Sequence, residues 1–190
     1  MDAVDFSREM IEHGRRLPNG DHPHLRWIHG RVEDVALDPP YALVMAGASL
    51  HWMDLHTVLP RCHQLLTPGG FLAIVTNDTT PDAWSILGEI VPRYRIDGGY
   101  ESFDMIGQLE QHDLFEVVGQ TKVGPMLFRQ SVDEYIESYH SRSGFSRERI
   151  GAAKAAAFDE EARKHLLGSY SDGMLTLQVT GSVVWGLPRG

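Results

Sequence analysis

Acidic residues and one histidine stand close to the ends of segments whose patterns predict β-strands. Asp5 lies at the end of the first such segment, and Glu33 and Asp34 follow a second one. A carboxylate only accepts hydrogen bonds, so these side chains suit a ligand that presents hydroxyl or amino groups. His51 follows a third segment, and an imidazole with a pKa near neutrality can take a proton from an attacking oxygen or nitrogen.

The elements that must position these side chains alternate between strand and helix patterns through about the first two-thirds of the chain. This alternation predicts an α/β fold. Two nearly continuous apolar runs, 41–46 and 71–75, are typical of strands covered on both faces in a parallel sheet. The other predicted elements are a strand over 25–29, a helix over 8–16 capped by Ser7, a helix over 55–66 capped by Asp54, and a helix after Thr80 and Pro81.

The pattern changes in the last third of the chain. Residues 114–122 form a predicted strand, and Ser131 opens a capping box that begins a helix. Residues 147–167 are rich in alanine and charge, which predicts helix with a break near Asp159. Residues 174–185 alternate between apolar and polar side chains, which predicts a half-exposed, antiparallel strand.

Composition limits the classes of function. The chain has 190 residues and a net charge of -9, which suits one soluble domain and argues against nucleic acid or an anionic membrane as the main partner. Cys62 is the single cysteine, so no internal disulfide can form and a reducing compartment, the cytoplasm, is expected. No apolar stretch reaches the ~18 residues of a transmembrane helix.

Four segments, in this order and with sensible spacing, resemble the class I S-adenosylmethionine-dependent methyltransferases. The resemblance is greatest to the small-molecule branch that includes the ubiquinone-biosynthesis and trans-aconitate enzymes. It covers residues 1 to about 78 well and is loose thereafter. The segments are Val4–Glu12, Gly30–Val35, Leu43–Asp54 and the Leu-x-Pro-Gly-Gly turn within Leu65–Val75.

The resemblance implies a Rossmann-like, doubly wound, mostly parallel sheet with an antiparallel C-terminal strand, and S-adenosylmethionine as the cofactor. Such sheets bind ligands at the carboxyl ends of their strands. There Asp5 would accept from the ribose hydroxyls and Asp34 from the adenine amino group, while carbonyls at Ala46 and Gly47 would approach the methionine ammonium. The cofactor-binding residues that it implies are Asp5, Phe6, Glu33, Asp34, Val35, Ala46 and Gly47.

The acceptor side is less well defined. His51 stands where a small-molecule acceptor would approach the transferred methyl, and it is the candidate catalytic residue. Trp52, Tyr135 and Tyr139 are candidate substrate-binding residues, the two tyrosines within a helical lid segment over 125–170. Methyl transfer from a sulfonium needs alignment more than acid–base help, so the reaction could also proceed without His51.

Some of these residues also have a purely structural interpretation. Asp5 could be a solvated residue near the chain start, Glu33 and Asp34 ordinary loop acids, and Trp52 a packing aromatic. Gly69 and Gly70 are assigned to the turn alone. No metal site is expected, because Pro23 interrupts the pair His22 and His24, and the spacing of His51 and His56 does not suit one helix face.

The family's glycine-rich cofactor loop, on its first strand, has no counterpart in these 190 residues. The sequence thus predicts one partial methyltransferase domain over 1–190, N-terminally truncated, with an exposed edge along the 41–46 strand. Three explanations remain open: a fragment of a longer enzyme, a degenerate methyltransferase that acts as a non-catalytic binding module, or a sheet completed by another chain. An open edge also predicts dimerisation.

Overall fold

The computed structural model describes residues 1–81, 83–96, 104–141 and 145–190. Strands and helices alternate along the first half as the sequence predicts, and the predicted helix over 8–16 has the same bounds in the structure. The strands are β1 (Asp2–Asp5), β2 (Arg26–His29), β3 (Tyr41–Gly47), β4 (Leu66–Thr80), β5 (Phe115–Ser131) and β6 (Met174–Pro188). The helices are α1 (Arg8–Arg16), α2 (Leu55–Leu65), α3 (Ala83–Leu87), α4 (Val91–Tyr94), α5 (Met105–Gln111), α6 (Val132–His140), α7 (Arg147–Ile150) and α8 (Ala152–Ser169), with a 3₁₀ turn at Leu50–Trp52.

The chain divides into two compact units. The first contains Met1–Val75, Asp104–Thr121 and Val183–Gly190. The second contains Thr76–Phe103 and Lys122–Ser182. Every residue that the sequence assigns to the cofactor belongs to the first unit, whereas Tyr135 and Tyr139 belong to the second.

The described strands form two separate sheets. β1 and β2 pair in parallel, with Asp2 opposite Arg26 and Asp5 opposite His29. The other sheet has four strands in the order β3–β4–β6–β5, and β3 and β4 are parallel in it. The predicted α/β fold, mostly parallel with antiparallel strands, is confirmed.

Side-chain hydrogen bonds connect the two sheets within the first unit. The Asp2 carboxylate accepts from the Tyr41 hydroxyl at 2.5 Å and from Arg26 Nε at 2.9 Å. Arg26 also pairs with Asp38, at 2.8 Å. Asp2, Arg26 and Tyr41 begin β1, β2 and β3, so these contacts bring the starts of the three strands together.

One face of β3 is open. Leu43 is 56% exposed and Met45 is 66% exposed, whereas Ala46, which points to the other face, is buried. The expectation of a strand covered on both faces is therefore wrong for β3. The exposed edge expected beside this strand is confirmed, because β3 ends its sheet and its described partner is β4 alone.

The first unit's core lies between α2 and the covered face of β3 and β4. Asp54 caps α2 through its carboxylate, which accepts from the His56 amide, as predicted. Burial raises the pKa of the Cys62 thiol in this core to about 11. The buried members of this core are Ala46, Leu50, Val58, Leu59, Cys62, Leu72, Ile74, Leu109 and Phe115.

The second unit has an aromatic core of its own. α6 begins at the predicted capping box, in which Ser131 and Glu134 each bond the other's backbone amide. Tyr139 and Phe158 are fully buried, and their rings lie 5.4 Å apart. Residues 142–144 of the proposed lid segment lie outside the described residues.

The predicted helix break near Asp159 is wrong. α8 runs through Asp159, and the break lies at Gly151, between α7 and α8. Gly151 has a φ of 81°, a conformation that glycine adopts without strain. Alanine-rich composition fixed the helical state of the segment but not the point at which it breaks.

No helix in the described part of the chain combines the length and apolarity needed to cross a membrane.

Replacing Asp2 by asparagine should lower the free energy of unfolding by about 2 kcal/mol at pH 7. The hydrogen bonds from Arg26 and Tyr41 lower the pKa of the Asp2 carboxyl from 3.8 to about 2. A depressed folded pKa stabilises the native state above the unfolded pKa, so this contribution should disappear as pH falls from about 4 to 2. Urea unfolding of the wild type and Asp2→Asn at several pH values measures it.

The matched control is Asp21→Asn, because Asp21 is exposed and its side chain makes no hydrogen bond among the described residues. We expect this variant to unfold like the wild type. Equal losses in the two variants, or a loss for Asp2→Asn that does not change with pH, would contradict the prediction.

Candidate functional site

Asp5 ends β1 and shapes the turn into α1. Its Oδ1 accepts a hydrogen bond from the Ser7 amide at 2.7 Å, and its backbone carbonyl accepts from the Gly30 amide at 3.0 Å. Ser7 then caps α1 by accepting from the Met10 amide. The second carboxylate oxygen of Asp5 has no hydrogen-bond partner in the described part of the chain. Asp5 is therefore an ordered residue with one acceptor still available.

Glu33 lies in the turn after β2 and links it to α2. Its side chain is 8% exposed, and Oε1 accepts from Arg31 Nη2 at 3.1 Å and from the Asp54 amide at 3.2 Å. These hydrogen bonds, chiefly that from Arg31, hold the pKa of the Glu33 carboxyl below its usual value. The Glu33 carboxylate thus connects the end of β2 to the start of α2.

Asp34 differs from its neighbour in what its side chain contacts. It is exposed, and among the described residues its carboxylate accepts no hydrogen bond, although its backbone amide donates to the Arg31 carbonyl at 3.0 Å. Val35 packs against Gly30, where an added Cβ would lie 2.5 Å from the valine Cγ1. Gly30 at this position lets the turn fold back on β2 and present Asp34 and Val35 together.

The end of β3 leaves open space beside the backbone. Ala46 is buried, but a Cβ added to Gly47 would meet no atom within 4 Å. The next residue, Ala48, has a φ of 46°, and its amide donates to the Val75 carbonyl at 2.8 Å. This bond fixes the point at which the chain leaves the sheet, and Gly47 leaves the backbone there accessible to a ligand.

His51 and Trp52 lie in the 3₁₀ turn that follows β3. Trp52 is 59% exposed, and its ring lies 4.6 Å from the His51 ring. Partial desolvation lowers the pKa of His51, which favours the neutral imidazole that a general base requires. Trp52 is not a core aromatic, since more than half of it faces solvent.

The turns after β1, β2 and β3 lie at one edge of the first unit. Asp5 is opposite His29 in the register of β1 and β2, and Glu33 bonds the residue that caps α2. The starts of the same strands meet at the opposite edge, through Asp2 and Tyr41. The structure therefore brings Asp5, Asp34 and Gly47 to one edge, as the sequence predicts for the ends of parallel strands.

Tyr135 and Tyr139 lie in the second unit and are buried in its core, 4% and 0% exposed. Their hydroxyl oxygens are 3.5 Å apart. A substrate-binding role for these two residues stays a prediction.

A surface cleft of about 660 Å³ lies away from these turns. The start of β4, with Pro68 and Gly69, forms one wall, and Glu116 and Arg189 line another. The turn predicted at Gly69 and Gly70 is wrong, since both residues lie within β4; Gly70 has little room for a side chain, because a Cβ there would lie 3.0 Å from the Ala42 carbonyl. None of the residues that the sequence assigns to the cofactor or substrate lines this cleft.

The histidines considered as metal ligands have other contacts. The His24 amide donates to His22 Nδ1 at 3.2 Å, and the His56 ring packs edge-on against His112. Within the described ranges, no three side chains of histidine, cysteine, aspartate or glutamate are grouped as a metal site requires.

Sequence reasoning missed Arg61. This residue of α2 donates from Nη1 to the Glu33 carbonyl at 3.1 Å and from Nη2 to the Val35 carbonyl. It follows Asp54 by seven residues, two helical turns, so both residues lie on one face of α2. That spacing was the available signal, but nothing in the sequence identified the turn that this face would contact.

Comparisons with known proteins concern the sequence and the fold of the chain. The sequence pattern of a family described as a methyltransferase domain matches residues 1–70, which include every cofactor-binding residue predicted above. A search of curated proteins finds no match.

Solved structures of similar fold cover nearly the whole chain. A type II methyltransferase, so described, from Anaeromyxobacter dehalogenans is 21% identical, with a TM-score of 0.57 over 99% of this chain and 81% of that one. A methyltransferase, so described, from Bacillus halodurans is 13% identical, with a TM-score of 0.52 over 99% and 83%. The [4+2]-cyclase SpnF is 14% identical, with a TM-score of 0.50 over 100% and 67%.

A fold shared with a cyclase does not fix the reaction, so the likeness of these structures establishes the fold alone. The family pattern matches residues 1–70, a little more than a third of the chain. The resemblance found in the sequence is confirmed as a similarity: residues 1–70 match the pattern of a methyltransferase domain, and the chain shares its fold with solved structures described as methyltransferases.

Proposed function

We propose that this domain transfers a methyl group from S-adenosylmethionine to a small-molecule acceptor, and that the turns after β1, β2 and β3 hold the cofactor. One observation carries the proposal. Asp5 and Asp34 stand at the same edge of the first unit, and each has at least one carboxylate oxygen that accepts no hydrogen bond from a described residue. Acceptors without a partner at the ends of parallel strands suit a nucleoside, which presents hydroxyl and amino groups.

The chemistry of these residues fits the adenosine half of the cofactor. The free oxygen of Asp5 would accept from the ribose hydroxyls, and Phe6, which is 68% exposed, stands beside it. Asp34 would accept from the adenine amino group, with Val35 against the ring. Glu33 would act by holding this turn in place, since Arg31 and the Asp54 amide occupy its carboxylate.

The methionine half has fewer groups to hold it. Backbone carbonyls at Ala46 and Gly47 would accept from the ammonium group, and the open space beside Gly47 permits that approach. No Gly-x-Gly sequence occurs in the 190 residues. The backbone amides that such a loop supplies are therefore not provided by this sequence.

Bound S-adenosylmethionine would supply a methyl group on a sulfonium centre, whose thioether leaving group needs no protonation. The protein would have to align the acceptor and exclude water. His51 would accept a proton from the attacking oxygen or nitrogen of the acceptor, and Trp52 would provide an apolar wall beside it. The buried thiol of the single cysteine suits a reducing compartment, for which we propose the cytoplasm.

We expect the 190-residue chain to bind S-adenosylmethionine weakly, with a Kd above about 100 µM, because the adenosine contacts act without a glycine-rich loop. Titration calorimetry and ligand-observed NMR measure this affinity. Low-micromolar binding would show that the missing loop is not needed.

The adjacent acids Glu33 and Asp34 should respond differently to replacement by alanine. Glu33→Ala should lower the free energy of unfolding by about 2 kcal/mol, because a charged acceptor of two hydrogen bonds is lost. Asp34→Ala should leave stability within about 0.5 kcal/mol but weaken S-adenosylhomocysteine binding about tenfold. Urea unfolding and NMR titration of both variants test the pair, and loss of stability in Asp34→Ala would contradict the assignment.

We also propose that two copies associate through the open edge of β3. Unpaired strand edges favour pairing with another chain, and Leu43 and Met45 leave apolar surface beside this edge. Sedimentation velocity should show a dimer whose fraction rises between about 10 and 300 µM protein, the range in which weak interfaces associate. Leu43→Lys should shift the species to monomer, because a charged side chain disfavours edge pairing.

Leu17→Lys is the control, since Leu17 is also exposed, at 52%, but lies after α1 and not on an edge strand. A wild-type chain that stays monomeric throughout this range would overturn the proposal.

A further inference from the structure

Arg61 holds the backbone on both sides of Asp34. Its Nη1 donates to the carbonyl of Glu33, the residue before Asp34, and its Nη2 donates to the carbonyl of Val35, the residue after it. A charged donor makes stronger hydrogen bonds to carbonyls than a neutral one does. One guanidinium therefore spans the turn from a single side.

The Asp34 and Val35 amides are fixed from the other side of the turn. Both donate to the Arg31 carbonyl, at 3.0 and 3.1 Å. The peptide group between Glu33 and Asp34 is thus held at its oxygen by Arg61 and at its nitrogen by the Arg31 carbonyl. With the peptide groups around it held in this way, the direction in which the Asp34 side chain leaves the backbone is set.

The Arg61 side chain is placed with little freedom of its own. Its Nε is buried and has no hydrogen-bond partner among the described residues. Leaving a buried donor unpaired costs free energy, which the two carbonyl contacts must offset. The arrangement favours one orientation of the guanidinium, because rotation that released the carbonyls would leave more donors unpaired.

We propose that Arg61 is a positioning residue for adenine recognition: it fixes the turn so that the Asp34 carboxylate meets the 6-amino group of the base. The inference rests on the proposed function and deepens it, since it assigns base selectivity to a residue of α2. Arg61 touches no ligand in this scheme and acts through the backbone around Asp34. Hypoxanthine, which carries an oxygen in place of the 6-amino group, would present an acceptor to an acceptor and be disfavoured.

The first test uses the full chain without ligand. In Arg61→Met, hydrogen exchange of the Asp34 and Val35 amides, followed by NMR, should accelerate at least about tenfold, because the turn loses its charged donors. Arg61→Lys keeps a charge that can reach one carbonyl and should restore part of the protection. Arg15→Met, on the exposed surface of α1, is the matched control and should leave these amides unchanged.

The second test compares S-adenosylhomocysteine with S-inosylhomocysteine by ligand-observed NMR at millimolar ligand. The wild type should prefer the adenosine compound by about tenfold, the effect of one charged hydrogen bond, and Arg61→Met should reduce that preference below about threefold. A role in stability alone would weaken both ligands equally and leave their ratio unchanged. Arg61→Lys should recover part of the preference.

Unchanged amide exchange in Arg61→Met, or an unchanged preference for adenosine in a folded Arg61→Met, would overturn the inference. If the wild type binds both compounds equally, Asp34 does not read the base, and the inference fails while cofactor binding stands. If the wild type binds neither compound, the proposed function fails and the inference with it, and any change in exchange then reports a structural contact only.

Discussion

The arrangement of the first unit depends on side-chain hydrogen bonds, because β1 and β3 belong to different sheets and share no backbone ladder. The described strands divide into two sheets, and no backbone pairing joins them. At one edge the Asp2 carboxylate connects the starts of the strands through Arg26 and Tyr41. At the other edge Glu33 and Arg61 connect the turn after β2 to α2. These polar contacts therefore determine how the three strand ends are arranged, and the candidate cofactor residues stand on those ends.

The same constraint separates residues that stabilise the site from residues that are free to bind. Glu33 and Asp34 are neighbours of the same charge, yet the Glu33 carboxylate is occupied by Arg31 and the Asp54 amide. Asp34 is exposed, with its backbone held and its carboxylate without a described hydrogen bond. Because the backbone around Asp34 is held, a ligand that binds its unpaired carboxylate has only the side-chain rotations left to fix, which lowers the entropic cost of binding.

Local signals in the sequence predicted much of this fold. Ser7, Asp54 and Ser131 were identified as caps from residue type and position, and each caps its helix in the structure. The break between α7 and α8 was misplaced, because composition cannot tell which residue adopts a positive φ. The candidate site, like the fold, was only partly predictable from the sequence. The acids at strand ends followed from the pattern, but Glu33 reaches Asp54 over 21 residues and Arg61 reaches Val35 over 26, contacts that only the folded chain reveals.

The apolar run of β3 has a consequence for strand register. Alternate residues of a strand face opposite sides, and in β3 both sides are apolar: Leu43 and Met45 on one, Val44 and Ala46 on the other. A slip by one residue would exchange the two sets with little change in hydrophobic burial, so the apolar pattern alone specifies the alignment weakly. The alignment is instead specified at the ends of the strand, where the Tyr41 hydroxyl donates a hydrogen bond to Asp2 and the Ala48 amide donates one to the Val75 carbonyl. These two hydrogen bonds, which lie outside the ladder, therefore fix the register of β3 and with it the position of Gly47.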